Sequence, residues 1–322
     1  MTQVSPALVG AVIIGRNEGE RLVRCLAAAR TELSPIVYVD SGSTDGSVAE
    51  ARAAGAQVVD LDVSVPFTAA RARNAGFAAL GDTPPEFVQF IDGDCELQPG
   101  WVGAAAAFLT ANPDAAIAAG RVRERHPEAS IYNRLCDAEW NTPVGEAEGC
   151  GGIFMIRADA FQQVGGFDPA LIAGEEPELC QRLRRKGWRI WRLDHEMVLH
   201  DAAMTRLGQW WKRARRGGHA AAEGAAMHGA GPDRLGVGQV RRALFWGLAL
   251  PLVAVLGAVL LSGWFLLLLL AYPLQVARLA LRGQGWEWAF FNTLGKFPEA
   301  LGIVRYHWGR LTRRRQGLIE YK

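Results

Sequence analysis

The chain has 322 residues, half of them apolar, and a net charge of +2. That length supports one large domain plus an appendage, and the near-neutral total excludes a dedicated nucleic-acid binder. Positive charge is nonetheless uneven. Residues 182–192 carry six Lys/Arg and no acid, and residues 206–216 carry five and no acid, which points to an anionic surface or ligand near the second half. The five cysteines are odd in number and lack a Cys-x-x-Cys spacing. This argues against a disulfide framework or a zinc site and for a reduced, cytosol-facing domain.

Residues 7–14 are apolar, but Met1–Pro6 supply no basic leader and Arg16-Asn17-Glu18 follow at once. The segment reads as a buried strand rather than a targeting sequence. Apolar runs at 8–14, 35–39, 57–59 and 87–91 alternate with helical stretches at 18–30, 45–54 and 68–79. Ser43 and Asp45 suit a helix start, and Gly55 suits a stop. Such alternation predicts an α/β domain with parallel strands, helices on both faces, and a ligand site beyond the carboxyl ends of the strands. Further on, the pattern predicts a helix at 99–111, strands near 115–122, 152–156 and 188–193, and a helix at 177–186 whose first turn accommodates Pro177.

The segment 243–261 holds 19 residues without a charge, and 264–277 is again uncharged after Ser262-Gly263. A helix of about 19 residues spans roughly 28 Å, close to a bilayer core. Arg241-Arg242 precede the pair and Arg278 and Arg282 close it, so a hairpin with both ends in the cytoplasm is expected. A hairpin buried in a soluble fold is the alternative. Residues 286–311 mix Trp286, Trp288, Phe290, Phe291, Tyr306 and Trp308 with Lys296, Arg305 and Arg310. That mix suits an interfacial helix on anionic headgroups or an ordinary helix packed on the domain. The expected division is a domain at 1–235, a transmembrane hairpin at 236–285 and an amphipathic, basic cytoplasmic tail at 286–322.

The chemistry-bearing residues cluster at strand ends. Phe90-Ile91-Asp92-Gly93-Asp94 closes one strand with two carboxylates. At that spacing an extended chain puts both on one face, where their repulsion favours a divalent cation between them; alone, the pattern is also that of a solvated turn. Asp40-Ser41-Gly42-Ser43 closes another strand with a small-residue loop able to meet a polar ligand, or to cap the next helix. Arg16-Asn17-Glu18 closes the first strand. Arg71 and Arg73 add cations that could meet phosphates, and His200 ends the apolar run 197–199.

Taken in order, Ile13-Ile14-Gly15-Arg16-Asn17-Glu18, Val39-Asp40-Ser41-Gly42-Ser43-Thr44-Asp45-Gly46, Ala72-Arg73-Asn74-Ala75-Gly76, Asp92-Gly93-Asp94, Gly151-Gly152-Ile153-Phe154, Gly165-Gly166-Phe167-Asp168 and Gly174-Glu175-Glu176-Pro177-Glu178-Leu179 resemble the family 2 glycosyltransferases of the GT-A fold over roughly residues 8–200. The resemblance implies inverting transfer from a UDP-, GDP- or dTDP-linked sugar with Mg or Mn. It implies nucleoside contacts from Glu18 and Asp40, with Arg16, Ser41, Ser43 and Arg73 around the donor. Asp92 and Asp94 would hold ribose, diphosphate and metal, with His200 a third metal ligand or a structural histidine. Gly151 and Gly152 would line the acceptor side, and Glu175 or Glu176 would be the general base. The usual second residue of that pair is aspartate, so the assignment between the two glutamates stays open. Glu176 is favoured, because Pro177 should push its backbone out of the helical region and into the cleft. There the helix N-terminus would keep it ionised.

Gln209-Trp210-Trp211-Lys212-Arg213 departs from the Gln-x-x-Arg-Trp motif of processive members, which argues against a polymer-extruding synthase. Arg213 could bind the donor diphosphate or a lipid phosphate, or sit on a basic membrane-facing surface. The expected partners are a nucleotide-sugar donor, a glycan or polyprenyl-linked acceptor and membrane lipids, with no nucleic acid. The expected setting is envelope or exopolysaccharide synthesis at the cytoplasmic face of a bacterial inner membrane. A catalytically degenerate membrane scaffold is the alternative.

Overall fold

The computed structural model describes residues 9–312. The ends of two expected elements, residues 7–8 of the first strand and 313–322 of the tail, lie outside the described residues. The chain divides into two compact units, one up to Ala203 and one from Met204.

In the first unit, β1 (Val9–Gly15), α1 (Glu20–Ala29), β2 (Ile36–Asp40), α2 (Ser47–Ala53), β3 (Gln57–Asp60), α3 (Ala69–Ala78) and β4 (Phe87–Asp92) follow the expected alternation within a few residues. Then come β5 (Cys95–Leu97), α4 (Trp101–Ala111), β6 (Ala115–Glu124), α5 (Ile131–Glu139), β7 (Gly145–Glu146), β8 (Phe154–Arg157), α6 (Ala158–Gln163), α7 (Glu175–Arg185) and β9 (Arg189–His200). The strands form one sheet in the order β3-β2-β1-β4-β8-β6-β9-β5, with β7 beside β9. β3, β2, β1 and β4 run parallel, whereas β8 is antiparallel to both β4 and β6.

One layer of core, built on Leu22, Leu26, Tyr38, Trp101 and Leu109, covers one face of the sheet. A second, built on Ala70, Phe77, Phe161, Leu179 and Leu183, covers the other. The two layers explain the near-continuous apolar strands, since a strand covered on both sides has no solvent face. Trp101 is fully buried and its indole donates to Gln89 Oε1 at 2.8 Å, so its polar edge is satisfied inside the core. α7 complements its own dipole, with Glu175, Glu176 and Glu178 in its first turn and Arg182, Arg184 and Arg185 in its last.

The second unit is helical. α8 (Leu207–His228) is followed by α9 (Val237–Leu244), which runs through one π-helical turn into α10 (Leu250–Leu260). A 3-10 stretch, Gly263–Leu270, leads into α11 (Ala271–Leu279), and α12 (Trp286–Leu294) and α13 (Lys296–Leu311) close the described chain. Val237–Leu260 and Gly263–Gln284 are each long and apolar enough to cross a membrane. α8 therefore goes with the helical unit, and the structural boundary falls after Ala203 rather than at the expected 235. The cause is close helix packing. A Cβ on Gly218 of α8 would lie 2.0 Å from the Glu299 carbonyl oxygen of α13, and one on Gly302 would lie 2.0 Å from that of Arg215. The expected single interfacial helix is two helices. α13 buries Ala300, Ile303 and Tyr306 and leaves Leu301, Val304, Trp308 and Leu311 exposed.

Candidate active site

The site gathers at the carboxyl ends of β1, β2 and β4, where the first unit's sheet opens. Asp40 ends β2 and is buried. Its Oδ2 accepts from the backbone N–H groups of Gly42 (2.9 Å) and Ser43 (2.8 Å), and its Oδ1 accepts from the Tyr38 hydroxyl (3.1 Å). The carboxylate thus shapes the 40–43 turn, and Gly42 takes the left-handed φ of +86° that the turn requires. The Asn17 N–H donates to Ser43 Oγ at 2.9 Å, and the Thr44 N–H donates to Asn17 Oδ1 at 2.7 Å, locking the ends of β1 and β2 together. Glu18 pairs with Arg21 at 2.7 Å, Arg16 is exposed beside it, and the Ser41 hydroxyl is buried without a hydrogen-bond partner.

The two carboxylates at the end of β4 have different partners. The strand ends at Asp92, the chain turns at Gly93, whose N–H donates to the Ile14 carbonyl, and β5 begins at Cys95. The expectation that both lie on one face of an extended chain therefore fails, because the chain is not extended there. Asp92 Oδ1 is held by Arg73 Nη2 at 2.8 Å, and Arg73 Nη1 reaches Glu175 Oε1 at 2.8 Å. Arg73 is only 3% exposed. It is a buried clasp between two carboxylates rather than a cation offered to phosphates. Arg71 is likewise occupied, donating to the carbonyls of Asp62, Val65 and Pro66. Gly152 lies on the clasp itself, since a Cβ there would stand 2.9 Å from Arg73 Nη2 and 3.8 Å from Asp92 Oδ2.

Asp94 is buried and turns toward β9, where its Oδ1 stands 3.3 Å from His200 Nε2. The approach follows from register, because β5 pairs antiparallel with β9 and places Cys95 opposite His200. Asp94, Cys95 and His200 form a cluster whose ligand atoms lie within 4.8 Å of one another. An oxygen and an imidazole nitrogen suit Mn, Mg or Zn in that donor set. Trp140 packs edge-on against His200 with ring centroids 4.6 Å apart, a neighbour no local sequence signal announces.

Glu175 and Glu176 have separate environments. Glu175 is committed to Arg73. Glu176 lies inside the first turn of α7, so Pro177 has not displaced it from the helix as expected; proline is compatible with a first turn, where no intrahelical N–H bond is lost. Glu176 Oε1 accepts from the Cys150 N–H at 2.6 Å and from the Cys180 thiol at 3.0 Å. Burial, the larger influence, raises its pKa above the ordinary carboxylate value, with the charge of Glu175 adding to the rise and the hydrogen bonds opposing it. The expected dominance of the helix N-terminus in keeping it ionised is thus outweighed by desolvation. Gly151, at φ +79°, carries the 149–152 loop past this carboxylate. Arg213 lies on α8, in the second unit.

Residues 11–165 match the glycosyl transferase family 2 model, and residues 135–206 match that of the N-terminal domain of galactosyltransferase. A pre-mycofactocin glycosyltransferase of Mycobacterium tuberculosis is 30% identical over 176 residues, covering 51% of this chain and 36% of the relative. A TPR repeat-containing protein of Synechococcus elongatus is 37% identical over 91 residues, 28% of this chain and 21% of that protein. The chain spans about a third or less of the length of these curated relatives. Among solved structures, the mannosyltransferase PcManGT of Pyrobaculum calidifontis, in complex with GDP-Man and Mn2+, aligns with a TM-score of 0.67 at 19% identity, over 95% of this chain and 89% of that one. At that identity the likeness establishes a common fold.

Proposed function

We propose that this chain, which belongs to glycosyltransferase family 2 through residues 11–165, transfers a sugar with inversion from a nucleoside-diphosphate donor to a membrane-proximal acceptor hydroxyl. The observation that carries the reading is the separation of three carboxylates at one sheet edge into three states. Asp92 is held by Arg73, Asp94 is paired with His200, and Glu176 is desolvated at a helix start.

Asp94 and His200 are the residues that would hold a divalent cation, as Mn2+ is bound in the mannosyltransferase of like fold. Such an ion supplies charge neutralisation for a departing diphosphate. The clasped Asp92 and the 40–43 turn, with Arg16, Glu18, Ser41 and Ser43 around it, would receive the nucleoside and ribose. Gly151 and Gly152 would keep the acceptor side open; Arg213, on α8 of the helical unit, would meet a lipid phosphate. Glu176 is the better base, because Glu175 already neutralises Arg73. With Oε1 fixed by the Cys150 N–H and the Cys180 thiol, Oε2 is the atom that accepts the acceptor's proton as the hydroxyl oxygen attacks the anomeric carbon. A base with a raised pKa is a stronger proton acceptor.

The apolar hairpin supports the membrane setting. Leu260, Leu261 and Trp264 each expose about three-quarters of their surface around its turn, and among the described residues no element covers them. We read both ends of the hairpin as cytoplasmic, at a bacterial inner membrane. A cavity beside it, lined by Arg242, Trp246, Gln275, Trp288, Asn292 and Lys296, combines cations with aromatic walls and suits a lipid-linked phosphate.

The test is a panel of UDP-, GDP- and dTDP-sugars with the full chain in detergent and Mn2+, read by thermal shift and by nucleoside diphosphate release. A donor that raises Tm only with the metal is expected. If none binds with or without metal, the transferase reading is wrong and a degenerate scaffold takes its place.

A further inference from the structure

Beside the proposed base lies a second group of metal-ligating side chains. Cys150 on the 149–152 loop and Cys180 on α7 bring their sulfurs to 3.7 Å. Glu176, one turn before Cys180 on the same helix face, has its Oε1 3.0 Å from that sulfur. All three offer ligand atoms within 4.8 Å of one another. We propose that Cys150, Glu176 and Cys180 form a site for a soft divalent cation of the zinc class, and that its occupation withdraws Glu176 from the acceptor and stops transfer. The inhibitory part rests on Glu176 being the base; the binding part does not.

Geometry favours the site. Two thiolates at about 2.3 Å from one ion in tetrahedral array lie about 3.8 Å apart, which the two sulfurs already match. The sulfur-to-carboxylate pair would open by roughly half an ångström as the thiol hydrogen bond gives way to a shared ion. Three protein ligands leave the fourth position to water, and Cys150 is partly exposed, which gives an entry path. Without a cation the cluster is two thiols around a carboxylate, with burial pushing the Cys180 thiol up to about 12 and Cys150 well above its ordinary value. A cation reverses that order, because binding converts both thiols to thiolates and releases two protons to solvent. The site differs from the Asp94, Cys95 and His200 cluster in offering two thiols and no imidazole.

Cadmium titration of the metal-stripped full chain in detergent tests this, because thiolate-to-cadmium charge transfer absorbs in the ultraviolet and is independent of turnover. One equivalent should produce the band in the wild type. Cys150→Ser and Cys180→Ser should each abolish it, Glu176→Gln should weaken binding about tenfold or more, and Cys95→Ser and Asp94→Asn should keep it. No band, or a band that survives in the Cys150→Ser/Cys180→Ser variant, overturns the site, as does a titration showing these two thiols already joined as a disulfide. In a second arm Zn2+ is added at saturating Mn2+, with each variant compared to its own zinc-free rate. Wild type should lose at least tenfold and Cys180→Ser little. A cadmium band without zinc inhibition would keep the site and refute the role of Glu176 as base.

Discussion

Asp94, in the turn that leads into β5, and His200, at the end of β9, meet at 3.3 Å, the aspartate buried and the histidine largely so. A rigid oxygen and nitrogen pair of this kind loses cation affinity when either member is neutralised. Asp94→Asn and His200→Ala should each lower Mn2+-dependent turnover by about two orders of magnitude, or ~3 kcal/mol, and should abolish the metal-dependent part of donor binding measured by calorimetry. Metal-dependent binding that survives both substitutions would remove this pair from the ion site.

Arg73 stands between Asp92 and Glu175 with both contacts at 2.8 Å. Removing one partner from a buried ion network leaves uncompensated charge, at a cost of about 3–5 kcal/mol. Arg73→Met should therefore lower the midpoint of thermal unfolding markedly, whereas Arg73→Met with Glu175→Gln should recover part of the loss. If the double variant is no more stable than the single, Glu175 does not depend on the arginine for its charge.

The raised pKa of Glu176 has a sign that can be checked in two ways. Its folded value lies above its unfolded one because burial outweighs the hydrogen bonds. The fold thus gains stability from it below about pH 4.5, and that gain is lost as pH rises through the folded value. Relative to Glu176→Gln, the wild type should lose stability over that rise. The acid limb of kcat/KM should turn over at the same raised value, because a base acts as its carboxylate. Glu176→Gln should bind donor normally and transfer at least a hundredfold more slowly; the same behaviour from Glu175→Gln instead would move the base to the neighbouring residue.

The first four strands and their helices are legible in the sequence because two-sided burial leaves apolar runs bounded by glycine, proline and small polar residues, as at Gly55 and Asp45. β5 and β7 are too short, at three and two residues, to carry a period of their own. The tip of β4 shows a sharper limit. Residue spacing puts Asp92 and Asp94 on one face, but a turn and partners distant in sequence, Arg73 for one and His200 for the other, decide what each carboxylate meets. Arg73 itself reads from the sequence as a cation that could meet phosphates, and only the return of α7 with Glu175 reveals it as a buried clasp. Residues 207–228 carry no sequence signal that joins them to the helical unit, in which the structure groups them as α8. Its basic residues resemble a domain surface, while its affinity for α13 resides in Gly218 and Gly302, which a pattern of polarity does not register.

The proposed hairpin makes a claim about sidedness. Val237–Leu260 and Gly263–Gln284 comprise 24 and 22 residues, enough for roughly 33–37 Å of helix against a hydrocarbon core of about 30 Å. The turn at Ser262 carries no charge, whereas Arg241, Arg242, Arg278 and Arg282 flank the other ends, which positive-inside bias holds in the cytoplasm. The native cysteines all fall between Cys25 and Cys180, in the first unit, and should be shielded from a membrane-impermeant maleimide in intact cells. Ser262→Cys should therefore be labelled in intact cells over an unlabelled wild-type background, while Asp233→Cys, ahead of the first span, should be labelled only after lysis. A Ser262→Cys chain that reacts only after permeabilisation would mean that the apolar pair does not cross the bilayer, and that the exposed faces of α10 and α11 are covered in another way.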